Sequence, residues 1–190
     1  IEEELIDSDD ITASEDTLKL VNDLNSKLIL KNNQIYLDIF IDNKNYGRLI
    51  FELYTDKVPK TCKNFIDLCK NKAYKNVKFH RLVKDFCLQG GDITKNDGSG
   101  GISIYGNSFD DENFQLNHDN IGVISMANKG PNTNNSQFFI TLKSSPFLNG
   151  KHVAFGKIIS GIELLKKINE LNTDQEKPIN DIYISDCGVY

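Results

Sequence analysis

The chain has 190 residues, 27 acidic against 22 basic side chains and a formal net charge of -5. That length holds one domain with a modest appendage, and a 39% hydrophobic, 26% charged composition is that of a folded globular protein, not a disordered one. Lysines scattered among carboxylates argue against a nucleic-acid surface, and no apolar run approaches the ~20 residues of a membrane-spanning helix, so neither nucleic acid nor membrane is an expected partner.

Residues 1–34 differ from the rest. An acidic opening (Glu2, Glu3, Glu4, Asp7, Asp9, Asp10) runs into a glycine-free apolar stretch. Thr12 and Glu15 have capping-box spacing, and Leu20, Val21, Leu24 and Leu28 share one face at helical period, which predicts an amphipathic helix over about 14–28. Its stripe either docks on the neighbouring domain or binds a partner. From Gln34 the pattern alternates, with Ile35, Leu37 and Ile39 in one strand and Leu49, Phe51 and Leu53 in the next, joined by a hairpin turn at Asn45-Tyr46-Gly47. Pro59 suits the first turn of a helix whose inner face carries Val58, Cys62, Phe65, Ile66 and Cys69.

Short strands then follow at Lys78–Leu82, Phe86–Gln89, Gly122–Ser125, Gln137–Thr141 and Val153–Lys157. Ser160 and Glu163 have capping-box spacing before a second core helix with Leu164, Leu165, Ile168 and Leu171 facing inward, and Ile182–Asp186 is the last strand. Many short strands with two core helices predict a mainly β fold, a barrel whose open ends the helices cover.

Cys62, Cys69, Cys87 and Cys187 form no CxxC pair. Cys62 and Cys69 lie seven apart in one predicted helix, about 10.5 Å by helical rise, beyond disulfide reach. They read as reduced core thiols. His80, His118 and His152 are dispersed without zinc spacing, and no metal is expected. Gly98-Ser99-Gly100-Gly101 lacks the Lys-Ser or Lys-Thr of a phosphate loop, and no G-x-S-x-G accompanies a serine. Asn134-Asn135-Ser136 fits a glycosylation sequon but reads as an unmodified loop.

Three segments concentrate polar and aromatic residues among glycines: Phe79-His80-Arg81 to Gly91, Ser125-Met126-Ala127-Asn128 to Phe139, and Phe147-Leu148-Asn149-Gly150-Lys151-His152. With the Gly100–Gly106 and Asp111–Phe114 stretches between them, they resemble the cyclophilin family of peptidyl-prolyl cis-trans isomerases, block by block and in order, over residues 34–190. The resemblance implies an eight-stranded antiparallel closed β-barrel capped by two α-helices, with the N-terminal helix as an extra, and a domain over residues 35–190 behind a 1–34 extension. It implies an isomerase, or rotamase, that assists protein folding as a chaperone, with no cofactor and proline-containing peptides and proteins as partners. Arg81, Gln89 and Asn128 are the implied catalytic residues, and Phe86, Cys87, Ala127, Gln137, Phe139, Phe147, Leu148 and His152 the substrate-binding ones. Cys87 stands where the best-studied members have Met, keeping the pocket soft and apolar. Phe147 stands where many have Trp, the residue on which cyclosporin affinity depends, so reduced cyclosporin A binding is expected. The chain is expected to be monomeric and cytoplasmic, the secretory pathway being the alternative if a signal peptide precedes Ile1.

The residue types fit the chemistry. Amide resonance sets a rotation barrier of about 18 to 20 kcal/mol. In the twisted state the proline nitrogen turns pyramidal and regains its lone pair, and a fixed guanidinium such as Arg81 can donate to it. That interaction is stronger with the twisted amide than with the flat one, as acceleration requires. Phe86, Cys87, Phe139, Leu148 and the His152 ring would cup the proline, while Gln89 and the Asn128 backbone hold the substrate main chain. Alternation puts Phe138 in the core and Phe139 in the groove. The second reading is a proline-peptide-binding module of a larger complex, docked through its N-terminal helix.

Overall fold

The computed structural model describes residues 14–31 and 33–190, with side chains for 14–25 and 33–190. Helix α1 (Glu15–Lys31) precedes strands β1 (Gln34–Ile41) and β2 (Lys44–Leu53), helix α2 (Pro59–Lys70), and strands β3 (Arg81–Val83), β4 (Cys87–Gly90), β5 (Val123–Met126) and β6 (Phe138–Thr141). A short 3₁₀ turn (Pro146–Leu148), β7 (Ala154–Ser160), helix α3 (Ile162–Asn169), a small hairpin of β8 (Thr173–Asp174) and β9 (Lys177–Pro178), and β10 (Ile182–Val189) follow.

The fold is mainly β. Eight strands form one antiparallel sheet in the order β10-β1-β2-β7-β5-β6-β4-β3. The curled sheet closes where the segment entering β3 meets β10: Lys78 bridges Tyr183, Phe79 N–H donates to Ile182, and Ile184 N–H donates to Val77. The alternation in β1 sends Ile35, Leu37, Ile39 and Ile41 inward, opposite Leu49, Phe51 and Leu53 of β2. Phe65 of α2 fills the middle of the barrel's aromatic cluster, 5.0 Å from Phe138, 5.1 Å from Tyr74 and 5.1 Å from Phe155 by ring centroids. Truncating such a ring costs about 3 to 5 kcal/mol. Val58 offers α2 no side-chain cap. Glu112 supplies one from 51 residues away, accepting from the N–H groups of Lys60 and Thr61 at 3.0 and 2.9 Å, where a carboxylate also meets the positive end of the helix.

Three local expectations change. The hairpin reverses at Asp42-Asn43, both left-handed (φ 48° and 63°) as a type I′ turn needs, not at residues 45–47. There the register shifts opposite Ile39 and Phe40, and Gly47 takes φ 128° to absorb it. Helix α3 has no capping box: Ser160 is still paired with Ile50 in the sheet, and Gly161 (φ 98°) turns the chain where a Cβ would meet the Arg48 carbonyl at 2.6 Å. Ser14 caps α1 by accepting from Thr17 N–H at 3.2 Å, while Thr12 lies outside the described residues. Of the predicted stripe, Leu20, Val21 and Leu24 are exposed, as is Leu18, so among the described residues it is not docked on the barrel, the first of the two alternatives above; Leu28 lies outside the described side chains.

The four cysteines are free and buried, Cys62, Cys69 and Cys187 in the core. Burial pushes the Cys62 and Cys69 thiols well up, as expected of inert core groups. Asn134 of the sequon is fully buried and donates to the Phe109 carbonyl and the Asp111 carboxylate, so it offers no amide for a glycan.

Candidate active site

On the outer face of β3, β4 and β6 lies a cleft of about 250 Å³ lined by Arg81, Phe86, Cys87, Gln89, Ala127, Asn128, Phe139, Leu148 and His152. Antiparallel pairing assembles it: Arg81 pairs with Gln89, and Gln89 with Phe139, so three side chains stand in one row across three strands. Alternation in β6 divides its two phenylalanines. Phe138 enters the barrel core, and Phe139 joins a separate apolar cluster with Cys87, Ala127 and Leu148, with Phe86 and Val83 packed against it. The cleft therefore has an apolar floor and a cationic wall.

Arg81 is partly exposed, with Nη1 donating to Gln89 Oε1 at 3.3 Å. Gln89 passes the orientation on, its Nε2 donating to Gln137 Oε1 at 3.2 Å, and Gln137 Nε2 donates in turn to the carbonyls of Gly98 and Gly100 at 2.9 and 2.7 Å. Gln137 lines an adjoining pocket with Gly98, Thr133 and Asn135, which shares Gln89, Ala127 and Asn128 with the cleft. Those two carbonyls are fixed by Asp92, a fully buried carboxylate that accepts from the N–H groups of Thr94, Lys95, Asp97, Gly98 and Gly100 at 2.9 to 3.2 Å. Burial alone would raise its pKa, but the N–H groups of Lys95, Gly100, Asp97 and Gly98 together hold it far below the usual carboxylate range. A relay runs from Asp92 through the loop and two amides to the guanidinium.

The remaining groups are also held. Asn128 spends its side chain on the Lys151 carbonyl (2.9 Å) and the Gly130 N–H (3.2 Å), and among the described residues its backbone groups make no hydrogen bond. His152 is oriented by a 2.8 Å bond from Nδ1 to the Met126 carbonyl and stands edge-on to Phe139 at 5.2 Å. Behind Phe139 lies the buried ring of His118, stacked at 5.9 Å, its Nδ1 on Asn149 and its Nε2 taking the Ser125 hydroxyl. Burial lowers the His118 pKa against the Asn149 bond, which raises it, so this is a neutral spacer. Cys87 sits in the floor as a thiol, its pKa pushed up to about 11 by burial despite Arg81 nearby, and acts as an apolar surface and not a nucleophile. Phe147 is not in the cleft wall. It is 61% exposed at the rim, its ring 5.4 Å from that of Phe86.

Sequence reasoning missed two residues that shape this site. Asp92 follows the glycine pair that ends β4, but a nest of N–H groups around one carboxylate is not visible in residue spacing. Glu176, whose Oε2 lies 2.7 Å from Arg81 Nε, is 95 positions away in a hairpin the pattern did not predict.

Residues 36–189 match the family described as "Cyclophilin type peptidyl-prolyl cis-trans isomerase/CLD". The chain is 48% identical over 181 residues to a human protein named "Probable inactive peptidyl-prolyl cis-trans isomerase-like 6", covering 89% of this chain and 58% of that one. It is 48% identical over 167 residues to "Peptidyl-prolyl cis-trans isomerase 9" of Caenorhabditis elegans, covering 82% of this chain and 54% of the relative. The same identity extends over 168 residues of the human "NK-tumor recognition protein", 82% of this chain but 12% of that protein. The chain spans little more than half the length of the first two relatives and a small part of the third.

Proposed function

We propose, from the premise that this chain belongs to the cyclophilin-type peptidyl-prolyl cis-trans isomerase family, that it catalyses rotation about X-Pro bonds in peptides and folding proteins. The observation that carries this reading is the guanidinium of Arg81 standing at the wall of a cleft of about 250 Å³ whose floor is the apolar cluster of Cys87, Ala127, Phe139 and Leu148. In the proposed reaction the proline enters the cup of Phe86, Cys87, Phe139, Leu148 and His152. The free backbone groups of Asn128 and the Gln89 amide hold the main chain on one side, and the preceding carbonyl swings on the other. As the nitrogen pyramidalises, Arg81 donates to its lone pair, a bond the planar amide cannot accept. Residues 35–190 would form the catalytic domain and residues 1–34 an extension. A protease-coupled assay on an Ala-Pro peptide tests the activity: cis peptide should be consumed at a rate proportional to protein, and a rate equal to that in buffer would contradict it.

Cyclosporin A is proposed to bind this groove weakly. Phe147 has no indole N–H to donate, and its exposed ring covers less of a ligand than Trp would. Phe147→Trp should tighten the Kd about tenfold, the scale of one hydrogen bond, in a fluorescence titration. An unchanged Kd would assign the weakness to another position.

A second reading is a binding module that holds proline segments without turning them. Two observations favour it: the word "inactive" in the name of the human relative, and the exposed apolar residues of α1, which suit attachment to a larger assembly. Peptide binding without acceleration in the same assay would select it.

A further inference from the structure

Arg81 is gripped on two edges. Gln89 takes Nη1, and Glu176 takes Nε at 2.7 Å. Glu176 also accepts the Leu82 N–H on its own carbonyl at 2.8 Å, so its main chain and side chain both anchor the β3 edge. It occupies the turn of the β8–β9 hairpin, where Gln175 and Glu176 are both left-handed at φ 49° and 66°. Glycine or asparagine adopts that backbone more easily than glutamate, and a strained residue persists where something else fixes it. Behind the pair lies a cavity of about 400 Å³, lined by Lys78, His80, Asn96, Glu176, Pro178 and Arg81 itself. An Arg81 side chain released at Nε has that room to turn into, away from the proline cleft.

We infer that Glu176 is a positioning residue for isomerisation: its carboxylate pins the Nε edge of Arg81 so that the guanidinium stays over the proline cleft instead of turning into the neighbouring cavity. This rests on the isomerase reading of the cleft. The ion pair is exposed on both partners, 37% and 53%, and such pairs add little to folding stability, so its loss is felt in turnover. A donor must sit within about 0.5 Å of its productive place, and an arginine with several free torsions does not stay there unaided.

The test is a set of variants of the whole chain. Glu176→Ala should lower kcat about tenfold, of the order expected when a transition-state donor is misplaced but present, with peptide KM within about twofold. Glu176→Gln, which keeps an oxygen for Nε, should recover about a third or more of the lost rate. Glu176→Gly relieves the left-handed backbone, so it should melt no lower than the alanine variant and yet be as slow. In an Arg81→Ala background, Glu176→Ala should change nothing further, the signature of two residues acting as one unit. An NMR readout needs no turnover: the Arg81 Nε–H resonance should be resolved and slow to exchange in the parent, lost in Glu176→Ala and kept in Glu176→Gln. The inference is overturned by parental turnover in the alanine or glycine variant, by an equal loss in the Arg81→Ala background, or by an unchanged Nε–H signal. A parent protein that leaves the peptide at its solvent rate would defeat the isomerase reading, while the Nε–H signal would still decide whether Glu176 holds Arg81.

Discussion

Arg81→Ala should reduce kcat/KM for an Ala-Pro peptide by about 10²-fold or more, the scale for removing one preorganised transition-state donor. The loss should fall on kcat, because the apolar floor that binds proline stays intact in Phe86, Cys87, Phe139 and Leu148. The fold should be spared: Arg81 is at a sheet edge, partly exposed, and its ion pair contributes little to stability. Arg81→Lys keeps the charge but neither the planar fork nor the simultaneous bonds to Gln89 and Glu176, so it should recover only part of the rate. Stopped-flow turnover beside a thermal melt checks both halves, and an alanine variant with parental kcat would remove Arg81 from the reaction.

Asp92→Asn should destabilise the protein by about 3 kcal/mol, because an amide in place of the carboxylate turns one acceptor into a donor facing N–H groups. At this chain length each kcal/mol lowers Tm by about 2 to 4 °C, so a fall of about 6 to 12 °C is expected in calorimetry. The pH dependence has a definite sign. The carboxylate's pKa is lower folded than unfolded, so its contribution is present above the unfolded value of about 3.9 and drains away as pH falls below it towards the folded value. The parent should therefore lose stability steeply on acidification below about pH 4, and Asp92→Asn should be flatter there. Parallel acid limbs would place the lost stability elsewhere. The substitution should also slow turnover, since Gly98 and Gly100 lose the anchor that presents their carbonyls to Gln137.

The parts of the fold legible in the sequence were those that repeat a simple burial rule. Alternation in Gln34–Ile41 and in β6 placed Ile35, Leu37 and Phe138 inside and Phe139 outside because a pleated strand has only two faces. Pro59 and the i, i+3, i+7 spacing of Cys62, Phe65 and Cys69 marked α2 for the same reason. Turn positions were not legible. Asn45 accepts the Gly47 N–H in a small local turn, which mimics a hairpin reversal, while the true reversal uses Asp42 and Asn43 without a glycine. The helix α3 boundary depended on how far Ser160 stays paired with Ile50, a matter of tertiary register.

The site divided along similar lines. Cleft residues came in contiguous blocks whose likeness to a family carried their grouping; Gln137 lines an adjoining pocket that shares Gln89, Ala127 and Asn128 with the cleft, and Phe147 stands exposed at the rim beside Phe86. Asp92 and Glu176 act through folded geometry alone: one collects N–H groups from a loop, the other crosses 95 residues to reach Nε. Neither leaves a spacing signature.

Whether Arg81 turns X-Pro bonds is read by two-dimensional exchange NMR on an Ala-Pro peptide at a small molar fraction of protein. Uncatalysed, the cis and trans signals interconvert over tens to hundreds of seconds and show no cross-peaks at a mixing time near one second. Cis–trans cross-peaks should appear within that time with the parent chain and vanish with Arg81→Ala. Peptide signals that shift on binding but show no exchange peaks with the parent chain would contradict it.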